Sequence, residues 1–316
     1  MKPSLRHETY RQLIAMSKGR PPLRVAVAHP CDEIALESAA AAYAIGLIDP
    51  VLVGPSAKIT SIAAKFNIDI SRFKLIATPH SHAAAEKTVE LVRAGEVETI
   101  MKGSVHTDEL MAAVFSHERG LRTARRISHC FVMDVPGRPQ NLIITDAAIN
   151  ITPSLDDKVD IVQNAIDLAH ALNFGEVRVA ILSAMETVSA KLPSTVEAAA
   201  LCKMAERGQI TGAIIDGPLA LDNAVDIGAA RLKHIDSPVA GRANVIVVPD
   251  LEAGNILAKS LSFMANADAA GIVLGARVPI ILTSRADSTM AHLASCAIAA
   301  LLVRRRLETP ALAAVS

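Results

Sequence analysis

The chain alternates short apolar runs with longer segments of helical periodicity, and this alternation constrains the fold more than any other feature. Residues 24–28, 51–53 and 74–77 are apolar runs too short for helices. Helical segments separate them, as at residues 81–94. In the later segment 253–265, apolar residues recur at three- and four-residue spacing, which is the stripe of an amphipathic helix. Strands that alternate with helices of this length indicate a doubly wound α/β sheet with right-handed crossovers.

A second alternating series follows Pro153. It opens with a predicted helix at 156–172, and its predicted strands are 177–182, 212–216, 245–248, 270–274 and 278–282. Between the two series, residues 127–135 and 141–145 are extended runs joined by a Pro-Gly-Arg-Pro turn. This pattern predicts an antiparallel hairpin, either at the edge of a sheet or in a dimer contact.

Two domains are expected from the length of 316 residues and the 51% hydrophobic content. We predict that residues 1–147 together with 287–316 form the first α/β domain and that residues 148–286 form the second. A cleft lies between them in this prediction, with short hinges near 146–154 and 284–288. The last helix has no strand after it, so it is expected to pack back on the first domain.

Composition bears on the partners of the protein. Thirty-two basic residues balance 32 acidic ones, there is no tryptophan and only 3% of the residues are aromatic, which argues against a nucleic-acid groove. The N-terminal residues are polar, and no apolar run approaches the roughly 18 residues of a membrane span. We therefore expect a cytoplasmic protein that binds small molecules, with no nucleic acid and no membrane among its partners.

Motifs for metals, disulfides and dinucleotides are missing from the sequence. The cysteines at 31, 130, 202 and 296 are scattered, which predicts core thiols rather than a disulfide framework or a zinc ribbon. The ten histidines include no H-x-x-x-H or H-E-x-x-H pattern, so we predict no metal site. No G-x-G-x-x-G follows the first strand, which removes the main argument for a dinucleotide site.

Polar loops follow several of the predicted strands, and ligands of open α/β sheets bind beyond the carboxyl ends of the strands. The stretch KGSVHT (102–107) precedes a helix that Thr107 or Asp108 is expected to cap. Its glycine, hydroxyls and lysine suit a phosphate at a helix N-terminus, although an ordinary capped turn has the same composition. Its spacing differs from G-x-x-x-x-G-K-[ST], which excludes a P-loop.

Two further loops carry charges suited to chemistry. LRTARRISH (121–129) holds three arginines in five residues, and the planar guanidinium suits phosphate oxygens, but a solvated basic turn is the alternative. SRADS (284–288) offers a hydroxyl, a guanidinium and a carboxylate after the last strand. A helix capped by Asp287 or Ser288 is the alternative there. The position at a strand end favours a functional role for 284–288.

Several stretches together resemble the phosphate acetyltransferase and phosphate butyryltransferase family. They are MKGSVHTDEL (101–110), LRTARRISH (121–129), ITDAAINITPSLDDKVDIVQNAI (144–166), RGQITGAIIDGPLALDNA (207–224), VPDLEAGNILAKSL (248–261) and GARVPIILTSRADS (275–288). The resemblance implies exchange of an acetyl or other short acyl group, such as butyryl, between CoA and inorganic phosphate. It also implies a homodimer and two α/β/α domains resembling the isocitrate dehydrogenase-like fold, with the site in the cleft.

The same resemblance implies the residues of the site. The serine-arginine pair of the family is Ser284 and Arg285, and its catalytic aspartate is assigned to Asp287. In the acetyl branch that aspartate stands further into the last helix, at the position of Ala291, whereas the butyryl branch shows the S-R-A-D-S of this chain. Phosphate groups need arginine and helix-terminus contacts, and the candidates for substrate binding on that ground are Lys102, Gly103, Ser104, His106, Thr107, Arg122, Arg125 and Arg277.

Physical chemistry fits these assignments. A thiol with a pKa near ~8.5 needs a base to become a nucleophile at neutral pH, and Asp287 can take its proton. The thiolate of CoA would then attack the carbonyl of an acyl phosphate in a ternary complex, with Ser284 and Arg285 stabilising the oxyanion. CoA, acyl phosphate and phosphate are thus the expected substrates, and no metal or other cofactor is expected.

Two other classes of function stay open on the residues alone. One is a nicotinamide-dependent oxidoreductase of similar fold, which would consume a nicotinamide nucleotide together with a hydroxy acid. The other is a binding module that kept the fold without catalysis, which would bind CoA without turnover.

Overall fold

The computed structural model describes residues 7–19, 21–284 and 287–308. Contacts between residues divide the chain into two compact units. We call Tyr10–Arg125 with Ala270–Ser316 the first unit, and Met1–Thr9 with Arg126–Ala269 the second unit. Both are α/β structures, which confirms the predicted fold class.

Strands and helices alternate along most of the chain. The strands are β1 (Leu23–Ala28), β2 (Ile48–Gly54), β3 (Lys74–Ala77), β4 (Thr99–Lys102), β5 (Ser128–Asp134), β6 (Leu142–Thr145), β7 (Arg178–Leu182), β8 (Ile214–Leu219), β9 (Val245–Val247), β10 (Asp268–Leu274) and β11 (Ile280–Ile281). The helices are α1 (Glu8–Ser17), α2 (Glu33–Ala44), α3 (Ser56–Lys65), α4 (Ser81–Arg93), α5 (Thr107–Phe115), α6 (Leu155–Ala171), α7 (Pro193–Glu206), α8 (Leu221–Val225), α9 (Ile227–Leu232), α10 (Leu251–Met264) and α11 (Thr289–Glu308). In the part of the chain that the structure describes, none of these helices is long and apolar enough to cross a bilayer.

In the first unit the strands follow the order β3-β2-β1-β4-β11-β10. The pairs β2–β3, β1–β2, β1–β4 and β4–β11 are parallel, and Ile280 of β11 lies opposite Ile100 of β4. Only the β10–β11 pair of this group is antiparallel, with Ile272 opposite Ile281. Because β1, β4 and β11 run in the same direction, their carboxyl ends meet at one edge of the sheet.

In the second unit the strand order is β5-β6-β9-β7-β8. The predicted hairpin is confirmed, since β5 and β6 are antiparallel with Cys130 opposite Thr145. The pairs β6–β9, β7–β9 and β7–β8 are parallel. Helix α6 begins with a capping box, in which Ser154 and Asp157 each bind the other's backbone N–H.

Strand pairing divides the chain differently from the sequence pattern. Residues 126–147 fall in the second unit because β6 pairs with β9, and residues 270–286 fall in the first because β11 pairs with β4. The sequence-based boundaries assigned these two segments the other way round. Which strands pair with each other depends on tertiary contacts, and a local apolar pattern in the sequence does not encode these contacts.

Three helices lie where the sequence patterns predicted none. Helix α7 contains the alanine run 198–200, which blurs the contrast between an apolar and a polar face. Helices α8 and α9 have only 5 and 6 residues, too short for a periodic stripe to be recognised.

Gly103 lets the loop after β4 approach β1 closely. Its N–H donates to the carbonyl of Ala28 at 3.0 Å, and the N–H of Ser104 donates to the carbonyl of His29 at 3.0 Å. A Cβ at position 103 would stand 2.5 Å from the oxygen of Ala28 and 2.8 Å from that of His29. No side chain fits there without a movement of backbone.

We expect Gly103→Ala to lower the free energy of unfolding by about 1–3 kcal/mol, the usual cost of overpacking a site that cannot relax. Gly228→Ala is the matched control, because the Cβ there would meet a side-chain atom of Asp226 at 3.0 Å rather than backbone. Urea unfolding of both variants makes the comparison. Equal stabilities of the two variants would show that the loop can shift away from β1.

Candidate active site

Three loops of the first unit meet at the edge where β1, β4 and β11 end. They carry a set of polar and titratable side chains that are far apart in the sequence. The groups are His29 and Asp32 after β1, Lys102, Ser104 and His106 after β4, and Thr283, Ser284, Asp287 and His292 after β11.

His29 and Ser104 link the first two loops. The hydroxyl of Ser104 donates to the carbonyl of His29 at 2.7 Å and accepts the N–H of Cys31 at 3.2 Å. Nδ1 of His29 lies 3.0 Å from the same hydroxyl, and since the hydroxyl proton is already used, Nδ1 is the donor of this contact. His29 has φ +53°, a left-handed conformation that is costly for a residue with a side chain and is often found at functional sites.

The N-terminus of α5 follows the 102–107 loop. Its N-cap residue is His106, whose side chain makes no capping hydrogen bond, so the prediction that Thr107 or Asp108 caps this helix is wrong. Both residues lie inside the first turn. The first turn also holds Glu109, which pairs with His82 at 3.3 Å. Lys102 Nζ donates to the carbonyl of Gly103 at 3.3 Å.

Asp287 closes the turn that follows β11. Its carboxylate accepts the N–H of Ser284 at 2.6 Å, and its own N–H donates to the carbonyl of Ser284 at 3.1 Å. The cap of α11 is Ser288, whose hydroxyl accepts the N–H of Ala291 at 3.2 Å. Of the two predicted caps, Ser288 therefore fills the role. Arg285 lies outside the described residues.

His292 connects α11 to the end of β11. Its Nδ1 lies 3.1 Å from the hydroxyl of Thr283, and both side chains are buried. Burial lowers the pKa of His292 below its usual 6.5, a nearby Ser284 carbonyl and Asp32 oppose this shift, and Lys102 adds to it. The ring is therefore neutral at pH 7, and the charges of Asp32 and Lys102, in the two neighbouring loops, act on it.

His29 is also held in its neutral form. Burial lowers its pKa, the charge of Lys58 lowers it further, and Glu109 and Asp32 oppose the shift. Both histidines of this edge are thus available to accept protons rather than to donate them.

The arginines predicted to bind phosphate lie at the other end of β11. Arg122 forms an isolated antiparallel bridge with Ala276, and the N–H of Arg277 donates to Leu121 at 2.9 Å. Arg277 is in the turn that joins β10 to β11, and Arg122 bridges to Ala276 of the same turn, so both lie where β11 begins, whereas Ser284 follows where it ends. Arg125 is three residues along the chain from Arg122. The structure does not bring these arginines to the edge formed by the 102–107 and 283–288 loops.

Four polar residues of this edge were given no role from the sequence. His29 and Asp32 stood in a polar strand-end loop, HPCDE (29–33), which is a signal that could have identified them. Thr283 and His292 offered a weaker signal, since a histidine in an apolar helix pattern usually indicates packing.

The four thiols of the chain have raised pKa values. Burial raises the pKa of Cys130, of Cys202 and of Cys296 to about 12, and it raises the pKa of Cys31. None of the four therefore forms a thiolate nucleophile at neutral pH. Within the described residues, no group of three or more His, Cys, Asp or Glu side chains is arranged to hold a metal ion.

Comparison with known proteins places the chain among acyl-transferring enzymes. Residues 81–300 match the family described as phosphate acetyl/butaryl transferase. A phosphate acetyltransferase from Rhizobium meliloti is 63% identical over 297 residues, which cover 94% of this chain and 94% of that protein. A phosphate butyryltransferase from Clostridium acetobutylicum is 39% identical over 295 residues, 93% of this chain and 98% of that protein.

A solved structure shares the fold. The branched-chain phosphotransacylase from Enterococcus faecalis V583 superimposes with a TM-score of 0.77 at 28% sequence identity, covering 89% of this chain and 99% of that one. The fold is therefore that of the phosphotransacylases, which resembles the dehydrogenase-like fold expected from the sequence.

The two histidines make stability depend on pH. Their lowered pKa values mean that the unfolded chain binds more protons than the folded protein below the ordinary histidine pKa of 6.5. The free energy of unfolding should therefore fall as the pH drops below this value. Urea unfolding at about pH 7.5 and about pH 5.5 measures the difference, which should be smaller in His292→Asn than in the wild type. An unchanged difference would mean that His292 is not held neutral.

Proposed function

The chain belongs to the phosphate acetyl/butyryl transferase family, and on that premise we propose that the loops after β4 and β11 bind and transfer the acyl group. The activity is phosphate acyl transfer, in which acyl-CoA and inorganic phosphate exchange with acyl phosphate and CoA. Acetyl is the proposed acyl group, since the acetyltransferase relative is 63% identical and the butyryltransferase relative 39%. Butyryl or another short acyl group is the alternative within the family.

One observation carries the proposal about the site. The phosphate-type loop 102–107 and the S-R-A-D-S turn follow two strands that pair in parallel, so both loops lie at the same edge of one unit. This edge supplies a helix N-terminus, a lysine and hydroxyl groups next to a carboxylate. An acyl phosphate needs these two kinds of group, cationic or N–H donors for its phosphate and a proton acceptor for the incoming thiol.

The proposed reaction is a direct transfer in a ternary complex. Asp287 takes the thiol proton of CoA, and the thiolate sulfur attacks the carbonyl carbon of the acyl phosphate. A C–S bond forms, the bond from that carbon to the phosphate oxygen breaks, and phosphate leaves with the electron pair. The raised pKa of all four cysteines supports direct transfer over an acyl-cysteine intermediate.

Ser284 and Arg285 are the proposed donors to the oxyanion that develops on the carbonyl oxygen. Ser284 is exposed at the end of β11, so its hydroxyl can meet a substrate. Lys102, the hydroxyls of Ser104 and Thr107, and the α5 N-terminus with His106 are the proposed partners of the transferred phosphate. The carboxylates of the first turn of α5 lower the anion affinity of that terminus, which makes Lys102 the more important partner.

Two other bases have less support. Asp146 is buried in the second unit, and its carboxylate accepts four hydrogen bonds from Ala148, Ile149 and Asn150, which satisfy it within its own turn. His106 is exposed and its ring makes no capping bond, so it is the more plausible substitute of the two if Asp287 is not the base.

Arg122, Arg125 and Arg277 are proposed to bind the phosphates of CoA rather than the transferred phosphate. CoA is an extended molecule, and its nucleotide phosphates lie far from its thiol. A cationic patch at the beginning of β11 suits that end of the molecule when the thiol lies near Ser284 at the end of the strand.

We further propose a cytoplasmic homodimer without metal or other cofactor. Helix α10 exposes Phe263 and Met264, at 76% and 83% of their surface, together with Ile256. Large apolar side chains that are exposed close together on one helix are typical of protein interfaces. We therefore propose α10 as the dimer contact, with the β5–β6 hairpin as the alternative.

The purified protein should release CoA from acetyl-CoA only when phosphate is present, and a chelator should not change the rate. The measurement is thiol release from acetyl-, propionyl- and butyryl-CoA, with and without phosphate and chelator. Equal release without phosphate would identify a hydrolase, and loss of activity with the chelator would identify a metal requirement. Reduction of a nicotinamide nucleotide added together with a hydroxy acid, in place of thiol release, would support the oxidoreductase alternative.

Asp287→Asn and Asp287→Ala separate a base from a turn-closing residue. The amide oxygen of asparagine can still accept the N–H of Ser284, but it cannot take a proton from a thiol. We expect both variants to lose about 10²-fold or more in kcat, the usual range of a base contribution, with partial recovery as the pH rises towards the thiol pKa.

A turn-closing role alone predicts an active Asp287→Asn and an impaired Asp287→Ala. Asp226 is the matched control, because its carboxylate accepts an N–H at the start of α9 and has no proposed chemistry. Asp226→Ala should lower stability, Asp226→Asn should keep it because asparagine caps a helix about as well as aspartate, and both should leave kcat unaltered.

A further inference from the structure

Among the residues that the structure describes, three sets of contacts link the end of β11 to the start of α11. The Asp287 carboxylate and N–H bind the backbone of Ser284 within the turn, and Ser288 caps the helix. The third contact, between Thr283 and His292, joins the residue before the turn to a residue in the first turns of α11 by their side chains. It therefore spans the whole S-R-A-D-S sequence.

We propose that His292 is a positioning residue for acyl transfer, which holds Thr283 at the end of β11 and so fixes the neighbouring Ser284 against the substrate. This inference rests on the proposed function of the turn. His292 does not touch the reacting atoms in it. Its action passes through Thr283, whose hydroxyl lies 3.1 Å from Nδ1 and whose backbone leads directly into Ser284.

Burial of the pair supports a fixed geometry. Thr283 is 5% exposed and His292 is 4% exposed, so water does not compete for their hydrogen bond. The backbone N–H of His292 donates to Ser288 at 3.1 Å, which also ties the histidine to the cap of α11. A small displacement of the helix would thus be carried to the strand end and to the serine.

The surroundings of Nε2, the other ring nitrogen, indicate that packing does not explain a histidine at this position. Nε2 of His292 is buried and has no hydrogen-bond partner among the described residues. An unsatisfied buried nitrogen costs free energy that leucine, an apolar residue of similar size, would avoid. Thr283 and the backbone of Ser284, at the end of β11, lie beside the ring, and the charges of Asp32 in the β1 loop and Lys102 in the β4 loop act on it. Stability alone would favour the apolar residue.

The test uses His292→Leu, His292→Asn, Thr283→Val and the double variant His292→Leu with Thr283→Val. Asparagine places a polar atom near the position of Nδ1 and can keep the bond to Thr283. We expect the two apolar single variants to lose about 10-fold to 100-fold in kcat, the effect of a misplaced reacting group, with KM for CoA changed little. The double variant should be no worse than either single one, and His292→Asn should recover most of the lost kcat.

Ser295→Ala is the matched control on the same helix. Ser295 is buried one turn further along α11 and makes hydrogen bonds to Ala291 and Gly271 that do not reach the turn. Ser295→Ala should lower the unfolding temperature without lowering kcat. An equal loss of kcat in this control, independent losses that multiply in the double variant, or wild-type kcat in Thr283→Val would each overturn the positioning role.

Thr283→Val keeps the proposal falsifiable if His292→Leu does not fold. A wild-type protein without phosphate-dependent release of CoA would overturn the proposed function together with this inference. Full activity in the variants of an active wild type would overturn this inference alone.

Discussion

Parallel pairing of β4 with both β1 and β11 is the constraint on which the candidate site depends. Strand β11 contains only Ile280 and Ile281, yet their register against β4 fixes where the next residues leave the sheet. The hydroxyl of Thr99 donates to the carbonyl of Pro279 at 2.5 Å, a contact across 180 positions of the sequence that anchors the start of this short strand. In this register the loops after β1, β4 and β11 lie at one edge of the sheet, although they are far apart in the sequence.

The local parts of this arrangement could be predicted from the sequence. Residues 74–77 are an apolar run that the structure places in β3 with the same bounds, and the Pro-Gly turn near Gly137 identified the hairpin, because both signals lie within a few residues. The pairing of β11 with β4 could not be predicted, since nothing in either run specifies its neighbour. Arg277 lies in the turn between the antiparallel strands β10 and β11, so it stands where β11 begins, at the end opposite to Ser284. The family resemblance indicates that these residues bind substrate phosphates. It does not specify which phosphate each residue binds.

The candidate site keeps its titratable groups in defined states. Burial holds His29 and His292 neutral, and the hydrogen bond from Ser284 fixes the orientation of the Asp287 carboxylate. Ala291, which precedes His292 in α11, is fully buried. The Asp287 carboxylate lies four residues earlier, in the turn before the helix begins at Thr289.

Contacts at the C-terminal end of α11 fix the position of this helix along its axis, and therefore the position of the Asp287 turn at its N-terminal end. Its 20 residues span about 30 Å, and its C-terminal arginines bind backbone carbonyls of the first unit. Arg304 donates to Ser17 and Pro21, and Arg306 donates to Ala276 and Arg277. A helix held there cannot slide, because an axial shift of one residue would move its N-terminus by about 1.5 Å and rotate it by about 100°. The contacts at the C-terminal end of α11 therefore fix the position of its N-terminal end, and with it the position of Asp287 relative to the end of β11.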